Sequence, residues 1–573
     1  MNHLLRHSLF VVLLLAALGM EARERTELQM QSIAAGQLTT LSHARKAKGV
    51  VVNELRQLGA SDNYRIYGNE NVGFAVISTD DSFNPVLGYS QQAFTVGHEP
   101  CAFKWWLAAI DEAMQVRKAQ GMRVPARAQL VYDSIPNLLT TTWGQQAPFN
   151  AFCPQVSGQM PPTGCVATAM AQILNYFEYP AAGSGKGYFF LNNGSSRQHR
   201  DVNGVYQWDL MLDRYSGRNF SEENSIAVAT LMRDCGYACH MNYGLDGSAA
   251  NDPDCAYAFC TNFGYDSLSM RLYQRIYYSD EEWMPLVYKA LKNKQPILYG
   301  GVDAADYGGH AFIISGINTS GMVYVNWGWN GDADGFYDIQ TLSATGILGR
   351  SSTMSFSERQ MMITGFRLNP TPLPGAEYHT HIVLREPFTL RAMTNTIRPS
   401  HGTFWNMGFM TFYGIVGYLV KSLDDPAEEP VFYIMHQTSV EGPYGAGYGS
   451  NGGGQNIKVN DLKAGRYRIY FAAKADQQEE PELCRTEGGI PYFDFEKSQT
   501  GKIAVGEAHI ENETTAILRV TASGFAAKGQ TRVYDAMGKL IYSAPSSSFH
   551  EQDVPGHGLM LIRQDNRTRK VMR

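Results

Sequence analysis

The side chain best placed to do chemistry stands at the start of a helical pattern. Cys165 follows Thr163-Gly164 and opens a run in which Val166, Met170, Ile173, Leu174 and Phe177 recur at helical spacing. Thr163 is the expected N-cap, and Tyr179-Pro180 the expected stop. Cys165 then falls in the first turn, where unsatisfied amides and the helix dipole favour a thiolate. The same amides can donate to an oxyanion. A thiol nucleophile also needs a base. Two apolar runs joined through residues 318–321 predict a β-hairpin in which His310 opens one strand and Asn326 closes the next. Such a hairpin would bring an imidazole and an orienting amide together. Cysteine at a helix start, then histidine, then asparagine is the order expected of thiol-dependent acyl transfer.

The rest of the chain must position these groups. Its 573 residues predict three or four domains. Hydrophobic residues make up 44% and charged residues 18%, as in ordinary globular proteins. A net charge of −6 argues against nucleic acid, which needs a basic face. Abundant glycine (56) and tyrosine (32) point to many strands and turns. Eight cysteines are too few for a disulfide scaffold. Residues 1–22 pair a short polar start with an apolar run too short to span a bilayer, so they read as a secretory signal peptide. No later run is long and apolar enough to span, and the chain is expected to be exported, either secreted or attached to the cell surface. Residues 26–60 look helical, 64–68 and 72–78 like strands, and 103–121 like a helix. Residues 121–141 read as an exposed connection open to proteolysis. Beyond the linker-like TPLPG after Pro370, spaced strand patterns predict one or two β-sandwich modules. The glycine-rich run at 444–454 reads as a loop and not a phosphate cradle.

The segments TGCVATAMAQILNYF, GGHAFIISG and YVNWGWNGDADGFY resemble the signature blocks of streptopain-type cysteine peptidases, a papain-like group that includes interpain and PrtT-like secreted enzymes. The resemblance implies an α+β papain-like catalytic domain (129–370), an α+β propeptide before it (23–128) and β-sandwich material after it (371–505). It implies Cys165 as nucleophile, His310 as general base and acid, Asn326 as the residue orienting the imidazole, and Trp327 as its shield from water. Trp143 to Asn150 resembles the oxyanion block, which implies Gln145 as donor, with Gln146 as the adjacent alternative. Tyr243 to Ala249 resembles the substrate loop, one residue short, and Ser248 and Gly309 would bind substrate backbone. The resemblance further implies a zymogen masked by its own propeptide, clipped near Gln129, and a bulky apolar preference at P2. Substrates would be proteins or peptides, and neither metal nor organic cofactor is implied. Residues 506–573 are similar to type IX secretion C-terminal domains and would engage secretion machinery, although Gly556 to Ile562 departs from the usual pattern there.

Two other classes compete. One is a surface adhesin with a vestigial peptidase domain. The other is a transglutaminase-like acyl transferase, which would need an acidic residue where Asn326 stands. Asn330 to Gly335 imitates half a calcium loop, but position 12 is Thr341 where a bidentate glutamate is required, so a tight acidic turn is expected. Cys235 and Cys239 are expected to be buried thiols.

Overall fold

The computed structural model describes residues 23–44, 55–119, 132–302, 309–342, 360–368, 381–511, 530–535, 540–545, 559–564 and 567–572, apart from isolated positions. The expected signal peptide, the clipping region around Gln129 and the linker after Pro370 lie outside the described residues. The chain forms two compact units. One runs up to Pro136 and takes in Gly316–Leu342; the other holds Asn137–Ser315 and the chain from Ser343 onward.

In the first unit, helix Glu27–Ala44 packs on the strands Tyr64–Asn69, Gly73–Ser78 and Val86–Ser90. Met30, Ala34 and Leu38 of the helix are buried with Tyr67, Ala75 and Ile77 of the strands in one apolar cluster. Residues 56–60, expected to be helical, are instead the strand Arg56–Ala60, paired antiparallel with Tyr64–Asn69. A ladder partner nearby outweighs local helix propensity here. The same sheet continues from Val86–Ser90 to Gly335–Tyr337 and then Val323–Asn326. Helix Cys101–Ala119 buries Phe103, Trp106 and Ile110.

In the second unit, the strands Arg271–Gln274, Met361–Thr364, Ile297–Val302 and Gly309–Ile317 neighbour one another in that order, all antiparallel. Helices Cys165–Phe177, Glu222–Ala238 and Asp252–Thr261 share one large core with these strands. The first of these helices is buried continuously from Cys165 to Leu174, so its apolar stripe has no solvent face opposite.

Three small sheets downstream share a single core that includes Ile397, Tyr418, Ile469 and Phe471. The longest path is Val431–Gln437, Gly414–Ser422, Gly465–Ala475, Ile490–Lys497 and Ile503–Glu511. The last of these strands crosses residue 505, where the module was expected to end, and carries it to Glu511. A further four-stranded antiparallel sheet is formed by Gln530–Asp535, Leu540–Pro545, Leu559–Gln564 and Arg567–Met572. The region is thus α+β, followed by β-rich sheets. Among the described residues no helix is long and apolar enough to cross a membrane.

Candidate active site

Cys165 is the first residue of its helix, as its spacing predicts. The cap differs. Gly164, not Thr163, is the N-cap, with φ 89° and no side-chain hydrogen bond. Thr163 Oγ1 bonds Thr168 Oγ1 at 2.8 Å instead. Glycine is required at 164 because a Cβ there would stand 2.7 Å from the Met241 methyl and 2.9 Å from the Ser248 carbonyl oxygen, on a backbone that L-residues rarely adopt. The chain therefore enters the helix through a passage only glycine fits. Phe177 ends the helix, and Glu178 turns left-handed just before Tyr179-Pro180.

The thiol is buried, at 8% exposure, and faces the strand Gly309–Ile317. The Ala311 amide donates to Cys165 Sγ at 3.4 Å. His310, half-buried, is the residue immediately before that donor and stands opposite Gly301 in the ladder. Cysteine and histidine segments that lie 145 positions apart in sequence are thus brought together. Gly309 pairs with Val302 in the same ladder.

Gln145 is 7% exposed, and its Nε2 is buried without a hydrogen-bond partner among the described residues. Its carbonyl oxygen accepts from Thr163 N at 3.0 Å, which ties it to the segment leading into the helix. Buried amides almost always have partners, so an N–H group left open at this place calls for an explanation. The approach to Gln145 is itself held from the helix. Gln172 Oε1, fully buried, accepts from Thr141 Oγ1 at 2.9 Å and from Trp143 N at 3.2 Å. Sequence reasoning passed over Gln172; the available signal was one amide inside an otherwise apolar helical pattern.

Ser248 is buried, and its hydroxyl donates to the Pro162 carbonyl at 2.7 Å. It braces the wall beside Gly164. Burial pushes the thiols of Cys153 and Cys260 up to about 12, which keeps them protonated and inert at neutral pH. All eight cysteines lie outside disulfides, and Cys235 and Cys239 are buried as expected.

In the first unit, Asn326 closes the strand Val323–Asn326, and its Oδ1 accepts from Gly328 N at 3.0 Å. Trp327 is fully buried. Its indole donates to the Ala333 carbonyl at 3.0 Å, and its amide to Asp334 Oδ1 at 2.8 Å. The acidic turn thus holds this tryptophan. Phe103 covers the same ring, with centroids 6.0 Å apart.

Residues 143–337 match the model of the Peptidase C10 family. Streptopain from Streptococcus pyogenes is 27% identical over 346 residues, 56% of this chain and 86% of streptopain. A solved fragment of prointerpain A from Prevotella intermedia is 40% identical, covering 55% of this chain and 99% of that one, with a TM-score of 0.49. This chain belongs to the peptidase C10 family. It is a cysteine peptidase of the streptopain type. Another C10 relative, the thiol protease/hemagglutinin PrtT of Porphyromonas gingivalis, is 29% identical over 324 residues, 53% of this chain and 37% of PrtT.

Proposed function

We propose that this C10 peptidase is an exported endopeptidase made as a zymogen, with Cys165 as nucleophile and His310 as base and acid. The Cys165 thiolate attacks a peptide carbonyl and forms a C–S bond. The developing oxyanion is held by the Cys165 backbone amide and by Gln145 Nε2. His310 gives its proton to the leaving amine as the C–N bond breaks. It then takes a proton from water, which attacks the thioester and releases the acid with the thiol restored. Asn326 orients the imidazole, and Trp327 keeps water from that hydrogen bond. Gly309 and the Ser248 wall line the substrate backbone, and the P2 residue is bulky and apolar. The observation that carries this reading is Gln145: its buried side-chain N–H has no partner among the described residues, and its own carbonyl ties it to the entry of the Cys165 helix.

In the same reading, residues 23–128 are the propeptide. Phe103 on Trp327 and the pairing of Val86–Ser90 with Gly335–Tyr337 support it, because they engage the segment that carries Asn326. Residues 506–573 direct passage to the surface. The test uses full-length protein beside Cys165→Ala, with casein under reducing conditions. Wild type is expected to clip itself and cleave casein, with both activities lost to a thiol-directed inhibitor and in Cys165→Ala. A wild type that does neither, or a variant that still does both, defeats the reading.

A further inference from the structure

Far from the thiol in sequence, two histidines of the sandwich face each other. His401 ends the strand Thr396–His401, and His436 lies in Val431–Gln437. These strands belong to different sheets that share one core. The two Nε2 atoms are 3.2 Å apart. His401 is 4% exposed, and the His436 side chain 12%.

The opposite nitrogen of each ring is committed as a donor. His401 Nδ1 meets the Gly402 carbonyl, which can only accept. His436 Nδ1 meets Glu441 Oε2 at 2.9 Å, and the same oxygen accepts from the Tyr444 hydroxyl at 2.8 Å. A neutral imidazole carries a single N–H. Both Nε2 atoms therefore turn lone pairs toward each other. Two acceptors at this separation repel unless a positive charge lies between them.

We infer that His401 and His436 form a binding site for a divalent transition-metal ion of the zinc class, which clamps the two sheets together. With zinc–nitrogen bonds of about 2.0–2.1 Å, tetrahedral geometry separates two ligand nitrogens by about 3.3 Å, close to the spacing found here. The outer partners also fit. A ligating histidine ordinarily donates its other N–H to a carboxylate or a backbone carbonyl, and this pair has one of each. Gly453 stands opposite His401 in the ladder, and a Cβ there would lie 2.7 Å from the Met435 methyl and 3.7 Å from His401 Nε2. The glycine-rich run so gains a reason at this position. Among the described residues no group of three or more His, Cys, Asp or Glu converges, so the proposed site has these two imidazoles as its protein ligands.

The test uses the full chain carrying Cys165→Ala, stripped with a chelator and titrated with Zn²⁺ against a chromophoric competitor. One ion per chain is expected. His436→Gln should weaken it at least tenfold, and Glu441→Gln, which keeps both imidazoles, by about 10–100-fold. His240→Asn should change nothing. Co²⁺ bound at the same site should show d–d bands without thiolate charge transfer. Urea midpoints measured in chelator establish that each variant folds; Zn²⁺ should raise the midpoint of the Cys165→Ala chain more than that of His436→Gln. Undiminished binding in both His436→Gln and Glu441→Gln overturns the proposal. So does the absence of binding at micromolar ion, with an Nε2 proton shared between the rings seen by NMR.

Discussion

Gln145 holds an unusual position for a glutamine: buried, fixed through its carbonyl, and with its Nε2 open. If that N–H is an oxyanion donor, its value is realised only in the transition state. Gln145→Ala should then lower kcat by about 10²–10³ while KM stays near wild type. Steady-state kinetics on a peptide substrate, with active sites titrated by a thiol-directed inhibitor, distinguishes this from a folding defect, which would lower the titratable fraction and leave kcat per titrated site unchanged. Gly164 is the other decisive single position. Gly164→Ala forces a Cβ against Met241 and the Ser248 carbonyl on a left-handed backbone. It should cost about 1–3 kcal/mol in urea unfolding and displace the thiol. Both positions sit inside blocks that are legible in the sequence. The reasons they matter were not, because the groups that crowd Gly164 come from segments some 80 residues away.

Helix starts, strand alternation and turn residues are local, so helix Cys101–Ala119, helix Cys165–Phe177 and strands Tyr64–Asn69 and Gly73–Ser78 could be read with small shifts of boundary. Arg56–Ala60 was misread because its strand character is conferred by its partner. How the β-rich sheets join the α+β region was invisible. Arg485 Nη2 meets Glu282 Oε1 at 2.8 Å in a buried pair, and Arg485 Nη1 donates to the Tyr277 carbonyl at 2.9 Å. Its guanidinium lies 4.1 Å from the Tyr278 ring centroid. Glu282 Oε2 in turn accepts from Ser279 N at 2.8 Å, closing the cap of helix Asp280–Lys292. Arg485→Leu would leave that carboxylate buried without its cation. It should cost about 3–5 kcal/mol, and more than replacing both partners with apolar residues. Chemical unfolding of Arg485→Leu, Glu282→Leu and the double variant measures the coupling.

The unit formed by the residues up to Pro136 and Gly316–Leu342 makes a prediction about maturation. Val86–Ser90 is hydrogen-bonded to Gly335–Tyr337, and the Trp106 indole donates to the Asp338 carbonyl at 3.1 Å. Cutting the connection near Gln129 leaves these contacts intact. The clipped N-terminal piece should co-elute with the enzyme in size exclusion until it is itself digested or unfolded; immediate separation would contradict this. Acid should loosen it. Burial pushes the Asp80 carboxyl upward, but hydrogen bonds from the Ser82 hydroxyl and amide and the Lys118 ammonium at 3.5 Å outweigh this and hold it below its ordinary value. A depressed carboxylate stabilises the fold above its unfolded value of 3.8, and that stabilisation is lost as pH falls through the folded value. Asp80→Asn should therefore lower the urea midpoint of the N-terminal unit at pH 7, and the difference from wild type should narrow as pH falls below 3.8.

What the sequence by itself determined was the order of residue types along the chain: a thiol at a helix start, then an imidazole, then an amide, within a stretch that matches one peptidase family. Those features are local, carried by residue type and short spacing, and local rules suffice to read them. Only the tertiary structure decided that Gly164 caps the helix, that Gln145 keeps an open N–H, that Arg485 locks onto Glu282, and that His401 turns its ring toward His436. Each depends on groups far apart in the chain sharing one small volume. The physical reason is that close packing and hydrogen-bond satisfaction are settled by neighbours in space, and no periodicity in the sequence encodes which neighbours those will be.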